Sequence, residues 1–376
     1  MLLAPFASGA EHQSLALCRY LSRYCRVTLL TNDEFANQLA ADPFLRRYSA
    51  GLSVVRLGRA FPSAPAGTLG GALHRARLYL PLQLALWRAL RRLRPPLVHL
   101  ILAPSFFAYA PLFYLLHVPV VVTLAGEMRY VRRFYGLAKR LVVRHAAARA
   151  NALVVCSPDE LANLAAVSPA AARRAVVLDN FTDVHRFAPG AKEPLVAFAA
   201  RLHPEKGALL FLEAAAHIHR ARPDVRFALM GRGEQADVVD RRLEELGLRG
   251  MVERGFVTDL APWLARSSIF VSCQLYENLG SSSLLEAMAS ANAIVATDVG
   301  QTWRIIDETV GRRVPADPVA IAAAVLDLLA DPSRLAALGA AARQRVVERF
   351  GPEPYVERLL ELYTSAQAAR RACPER

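Results

Sequence analysis

Paired cysteines are missing from this chain. Its five cysteines, Cys18, Cys25, Cys156, Cys273 and Cys373, are odd in number, scattered, and form no Cys-x-x-Cys pair. Neither a disulfide framework nor a thiolate zinc site is expected, which points to a reducing, cytoplasmic setting. Low-complexity runs that would mark disorder are also lacking. Met1–Phe6 is too short for the apolar core of a secretion signal. The most hydrophobic region, residues 97–125, approaches the length of a membrane span, but Pro104, Pro111, Pro119 and His117 interrupt it. These breaks fall where strand–helix–strand punctuation would, so a buried β-α-β unit is expected there.

Acidic residues are scarce in the first half alone. Residues 1–187 hold 23 Lys/Arg against 9 Asp/Glu, whereas residues 188–376 hold 23 against 24. The net charge of +13 therefore belongs to the first half, which should face something anionic. Nucleic acid is a poor candidate, because no binding motif appears and aromatics do not interleave with the charges. Two segments are basic and amphipathic: 73–94, with Arg88, Arg91 and Arg92, and 129–149, with Arg129, Arg132 and Arg133. They read either as solvated helix faces or as an acceptor- and membrane-facing surface. Near an anionic leaflet each such cation contributes about 1 kcal/mol.

What the chain does have is a long alternation of short apolar runs with helical periodicity. Apolar residues make up 54% of its 376 residues, enough for two cores. Strands are expected at 26–31, 97–102, 118–124 and 152–156, then at 195–199, 225–230, 251–256, 268–273 and 293–297. Helices are expected at 13–24, 73–94, 128–150, 207–221, 235–246, 260–266, 282–290, 318–330, 332–349 and about 353–372. This is the α/β class: two doubly wound parallel-sheet domains, with ligands at the carboxyl ends of strands in a cleft between them. The turn-rich connection 179–194 sets the expected domains at 1–188 and 189–350, with a closing helix in 351–376.

Four stretches at expected strand ends carry chemistry. Arg201 and Lys206 stand five residues apart at a helix entrance, either as an anion site or as two solvated cations. Gly231 and Gly233 mark either a tight turn or a close approach of backbone to ligand. Phe256 and Val257 either border a flat base or simply end a strand. Tyr276–Gly300 opens with Glu277, passes through the small loop Asn278, Leu279, Gly280 and Ser281, and places Glu286 among Leu284, Leu285, Ala287 and Met288. A carboxylate there must point outward or bind something.

Together RLHPEKG (201–207), MGRGE (230–234), GFVTDLAPWLARSSIFV (255–271) and YENLGSSSLLEAMASANAIVATDVG (276–300) resemble the retaining, nucleotide-sugar-dependent glycosyltransferases of the GT-B fold, family 4. SGAEHQ (8–13), DNFTDVHRF (179–187) and residues 314–350 extend the resemblance over nearly the whole chain. It implies two Rossmann-like domains, the first for the acceptor and the second for the donor. It implies that Arg201 and Lys206 bind the donor diphosphate and that Glu286 holds the ribose hydroxyls. Glu277 and the amides of Asn278–Ser281 would orient the transferred sugar, Gly231, Phe256 and Val257 would line the nucleotide, and Gly9–Ala10 would form the first-domain donor loop. Glu277, Arg201 and Lys206 are then the expected catalytic residues.

No cofactor and no metal are expected, in keeping with the absence of any Asp-x-Asp. The donor would be a UDP-, GDP- or ADP-sugar, and the acceptor a hydroxyl, membrane- or lipid-linked, at the inner face of a membrane. A nucleotide-sugar epimerase and a degenerate binding scaffold share the same resemblance. Four features depart from the family pattern: Ser8 stands in the glycine loop where the family often has glycine, the expected first strand, Met1–Pro5, is short, and two more lie at the sugar site. Eight residues separate Glu277 from Glu286 instead of seven, and Ala125-Gly126-Glu127 stands where a histidine is common.

Overall fold

In a computed structural model of the chain, residues 9–58, 69–101, 117–124, 128, 131, 137–276 and 281–371 are described. The expected strand at Met1–Pro5 lies outside them. The chain divides into two compact units, Met1–Asp179 with Tyr355–Arg376, and Asn180–Pro354.

The second unit is built on six strands: β7 (Glu193–Ala199), β8 (Arg226–Met230), β9 (Val252–Gly255), β10 (Ser267–Ser272), β11 (Ala293–Thr297) and β12 (Gly311–Val314). Every pairing is parallel, in the order β12-β11-β10-β7-β8-β9. Taking β7 as the first strand of the unit, this is the 3-2-1-4-5-6 order of a doubly wound sheet. β10 and β11 are buried along their whole length, as strands covered on both faces must be. On one face, Phe198 stacks on Phe211 of the helix Ala208–Ala221 at 5.2 Å, and Phe227 meets Phe211 edge-on at 6.3 Å. On the other face, Phe187, Phe270, Leu285 and Met288 form a second core with Val346 and Phe350.

In the first unit, β3 (Val98–Ile101), β4 (Val120–Leu124), β5 (Ala152–Val155) and β6 (Ala175–Val177) form a parallel sheet in that order. β1 (Thr28–Thr31) pairs in parallel with β2 (Ser53–Arg56). The first helix runs Gly9–Leu21, earlier than the expected 13–24. Helices Asp33–Ala41 and Pro43–Tyr48, and strands β2 and β12, were not expected from the sequence. Both strands are short and polar-rich, SVVR and GRRV, and each lies at the edge of its sheet. Several helix starts follow local chemistry: Ser157, Asp317 and Asp331 accept from backbone N–H groups three residues on, each followed by proline.

The last helix, Pro352–Arg371, returns to the first unit. Partly buried His99 on β3 bonds Tyr363 Oη at 2.7 Å through Nδ1 and Thr123 Oγ1 at 2.8 Å through Nε2. Tyr355 also hydrogen-bonds Thr123. Burial pushes His99 down to about 3 and Tyr355 up to about 12, so both are neutral near pH 7. Because the folded histidine resists the proton that the unfolded one accepts below about pH 6.5, the stability it confers is complete above that pH and fades as pH falls toward 3. Urea unfolding should show the wild type losing on the order of 1–2 kcal/mol between pH 7 and pH 5 from this source. His99→Gln should flatten that part of the profile, and an unchanged slope in the variant would refute the assignment.

Candidate functional site

In a sheet of this order the connections leave β7 and β10 toward opposite faces, so a crevice opens beyond their carboxyl ends. The stretches singled out in the sequence follow the carboxyl ends of β7, β8, β9 and β10. Arg201 follows β7 and is exposed. Pro204–Lys206 forms a single 3-10 turn, entered by the His203 ring accepting from Glu205 N and left through Gly207 at φ 71°. A Cβ on Gly207 would fall 2.0 Å from Cys273 O, so the turn lies directly against the end of β10. Lys206 Nζ donates to Gln274 Oε1 at 2.9 Å.

The loop after β8 backs onto the loop after β7. Ala200 N donates to Met230 O, Leu202 N to Arg232 O and Gln235 N to Leu202 O, at 3.1, 2.9 and 3.1 Å. A Cβ on Gly231 would lie 2.0 Å from Ala200 O, so this loop–loop contact alone requires a glycine there. Beyond β9, Phe256 is 45% exposed, with the Arg232 guanidinium 4.1 Å from its ring centroid. Val257 beside it packs on the second core.

The helix Ser282–Ala289 is fastened at both ends. At its start, Ser281 accepts from Leu284 N, its Oγ lies 3.0 Å from Ser283 Oγ, and Ser283 donates to Ala199 O, the last residue of β7, at 2.6 Å. At its end, Lys192 Nζ donates to Ser290 O at 2.7 Å and Leu264 O at 3.3 Å, Asn292 Nδ2 donates to Ala287 O at 2.9 Å, and Arg343 donates to Ala289 O. Cations at a helix C-terminus complement its dipole. Burial lowers Lys192 to about 8.

This helix holds Glu286 at 8% exposure. Burial pushes its carboxyl up to about 7; the field of Arg186 draws it down and that of Asp259 raises it further. Arg186 Nη2 and Asp259 Oδ1 form an ion pair at 2.8 Å. Reading along the chain missed Arg186, Asp259, Lys192 and Gln274 as neighbours of the site. Their partners lie 68 or more residues away. Only the place of Gln274 at a strand end could have flagged it.

Glu277, Asn278, Leu279 and Gly280 lie outside the described residues, as do Arg129, Arg132, Arg133 and the Ala125–Glu127 stretch. Gly9 and Ala10 begin the first helix, in the other unit. Arg88, Arg91 and Arg92 are exposed on the helix Leu69–Leu93, near exposed Leu84 and Leu93, with Arg91 5.0 Å from the Trp87 ring. Among the described residues no group of His, Cys, Asp and Glu could hold a metal ion, and no helix is long and apolar enough to cross a membrane.

The family model Glycosyltransferase Family 4 matches residues 7–186, and the model Glycosyl transferases group 1 matches residues 193–331. The chain belongs to these glycosyltransferases. Their GT-B fold, two Rossmann-like parallel-sheet units, is the fold described above. Alpha-maltose-1-phosphate synthase of Mycolicibacterium smegmatis is 32% identical over 195 residues, 46% of this chain and 49% of that protein. A GDP-mannose-dependent phosphatidylinositol monomannoside mannosyltransferase of the same organism is 30% identical over 190 residues, 48% of this chain and 50% of its own. The chain thus spans about half the length of the curated relatives it matches. Among solved structures, Anabaena HepE in complex with UDP and glucose superposes with a TM-score of 0.77 at 17% identity, over 97% of this chain and 98% of that one.

The raised Glu286 carboxyl gives this chain a testable signature. Between about pH 4.5 and 7 the folded unit holds a proton that the unfolded chain has released, so stability falls as pH rises through that window. Glu286→Gln should therefore stabilise the unliganded protein most at pH 8, by on the order of 2 kcal/mol, and little at pH 4.5. Urea titrations at the two pH values check this; an equal effect at both would refute the burial argument.

Proposed function

We propose that this chain is a retaining, metal-independent glycosyltransferase that moves a sugar from a nucleoside-diphosphate donor to a hydroxyl acceptor. The observation that carries the reading is the pairing of unlike groups at one crevice: the cations Arg201 and Lys206 beside the β7–β10 switch, and the buried carboxylate Glu286 on a helix tied to the end of β7. A diphosphate needs the first and a ribose diol suits the second. Among the described residues no hydrogen bond offsets the burial of Glu286, and two ribose hydroxyls would supply that offset.

In this reading Phe256, Val257 and Gly231 border the base, while Glu277 and the amides of Asn278–Ser281 orient the sugar. The acceptor hydroxyl enters on the leaving-group side, and a donor phosphate oxygen takes its proton as the new glycosidic bond forms. Arg201 and Lys206 stabilise the departing diphosphate, taking the part that a metal ion plays where the protein supplies fewer cations. A neighbour solved with UDP and glucose, and a relative named for its dependence on GDP-mannose, support a nucleotide-sugar donor. We assign the donor to the UDP-, GDP- or ADP-sugars, to be separated by a thermal-shift screen. Against the donor so found, Lys206→Ala should lower turnover about 100-fold or more with an unchanged melting temperature. Unchanged turnover would sink the reading.

We further propose that the acceptor is membrane- or lipid-linked and that Arg88, Arg91 and Arg92, with Arg129, Arg132 and Arg133, face an anionic bilayer. Net positive charge carried by the first half, exposed Leu84 and Leu93 beside the arginines, and a relative named as a phosphatidylinositol monomannoside mannosyltransferase support this. The protein should co-sediment with anionic vesicles at low salt and leave them as salt rises. Lack of salt-sensitive binding would exclude the membrane.

A further inference from the structure

Lys206 follows β7 and Gln274 lies just past the end of β10, so their hydrogen bond spans the two strands at which the sheet reverses its winding. The contact is not a chance meeting of two mobile side chains. Gln274 is only 5% exposed. Thr297 Oγ1 donates to its carbonyl at 2.5 Å, and the next residue, Leu275, donates its N–H to Glu205 O at 3.0 Å. The close seat of Gly207 on Cys273 adds a third link between the same two loops.

An ammonium can only donate, so the amide must present its oxygen to Lys206. That leaves the NH2 group, whose two donors make no hydrogen bond among the described residues. The choice of an amide also matters electrically. A carboxylate of the same shape would hold the ammonium equally well but oppose its charge, whereas glutamine holds Lys206 without adding a negative charge.

We propose that Gln274 is the third member of the anion-binding site: it positions the Lys206 ammonium and contributes its own amide donors to the bound diphosphate. The proposal rests on reading Arg201 and Lys206 as diphosphate ligands. It adds a neutral donor from the far side of the switch point, so that the diphosphate would be gripped from the ends of both strands.

Calorimetry on the full chain with UDP, GDP and ADP, and with the matching monophosphates, tests it in the wild type, Lys206→Ala, Gln274→Glu and Gln274→Leu. The diphosphate that binds the wild type best should bind Gln274→Glu at least about tenfold more weakly, and Gln274→Leu about threefold to tenfold more weakly. The matching monophosphate should change less in both, since loss of a diphosphate grip narrows that preference whereas general damage does not. Gln274→Leu, similar in size and uncharged, provides the reading if the glutamate variant does not fold. Wild-type diphosphate affinity in both Gln274 variants, with Lys206→Ala impaired, would overturn the role of Gln274 alone. Equal losses for mono- and diphosphate would also overturn it, as the mark of a merely structural residue. If Lys206→Ala binds like wild type, or no diphosphate binds the wild type, the diphosphate reading falls and this proposal with it.

Discussion

One constraint organises the second unit: β7 and β10 are neighbours in space but send their chains to opposite faces of the sheet. Parallel strands force each connection to travel back over a face, and only where that direction reverses does the sheet edge stay uncovered. The glycines here are best understood against that requirement. Gly207 lets one loop lie on the backbone of β10, and Gly231 lets the loop after β8 back onto the loop after β7. The crevice is thus walled by main chain held to main chain, a stiff mount for the few side chains that enter it.

The helix Ser282–Ala289 shows how packing and electrostatics share the work. Its apolar positions fix its depth in the core, while Lys192, Arg343 and Asn292 engage the carbonyls at its far end. Drawing Lys192 and Arg343 from distant parts of the chain gives the helix a defined position as well as a defined depth. Glu286 is carried into a place where its charge is poorly solvated, a local disadvantage that the surrounding packing sustains.

Much of this architecture was legible in the residues because the second unit obeys local rules consistently. β7, β10 and β11 each carry an apolar run, Leu195–Ala199, Ile269–Val271 and Ala293–Ala296, and caps such as Asp317-Pro318 and Asp331-Pro332 announce helices within a residue of where they start. β2 and β12 escaped because an edge strand has no need of an apolar run; SVVR and GRRV give no period to detect. Arg201, Lys206 and Glu286 were legible as site candidates because each breaks the pattern around it. Arg186, Asp259 and Gln274 were not, since an arginine–aspartate pair or a buried amide has meaning only once the fold brings its partner near.

The return of the last helix to the first unit bears on how the chain is made. Residues 180–354 form an insertion within a unit whose own parts lie on both sides of it. During synthesis the inserted unit emerges whole and can close its sheet without help from the last helix. The first unit, although translated first, waits for Tyr355 and Tyr363 to reach Thr123 and His99 before its buried network is complete. The order of completion is therefore the reverse of the usual N-terminal-first order of domain folding on the ribosome, and the arginine-rich half is the one that spends longest unfinished.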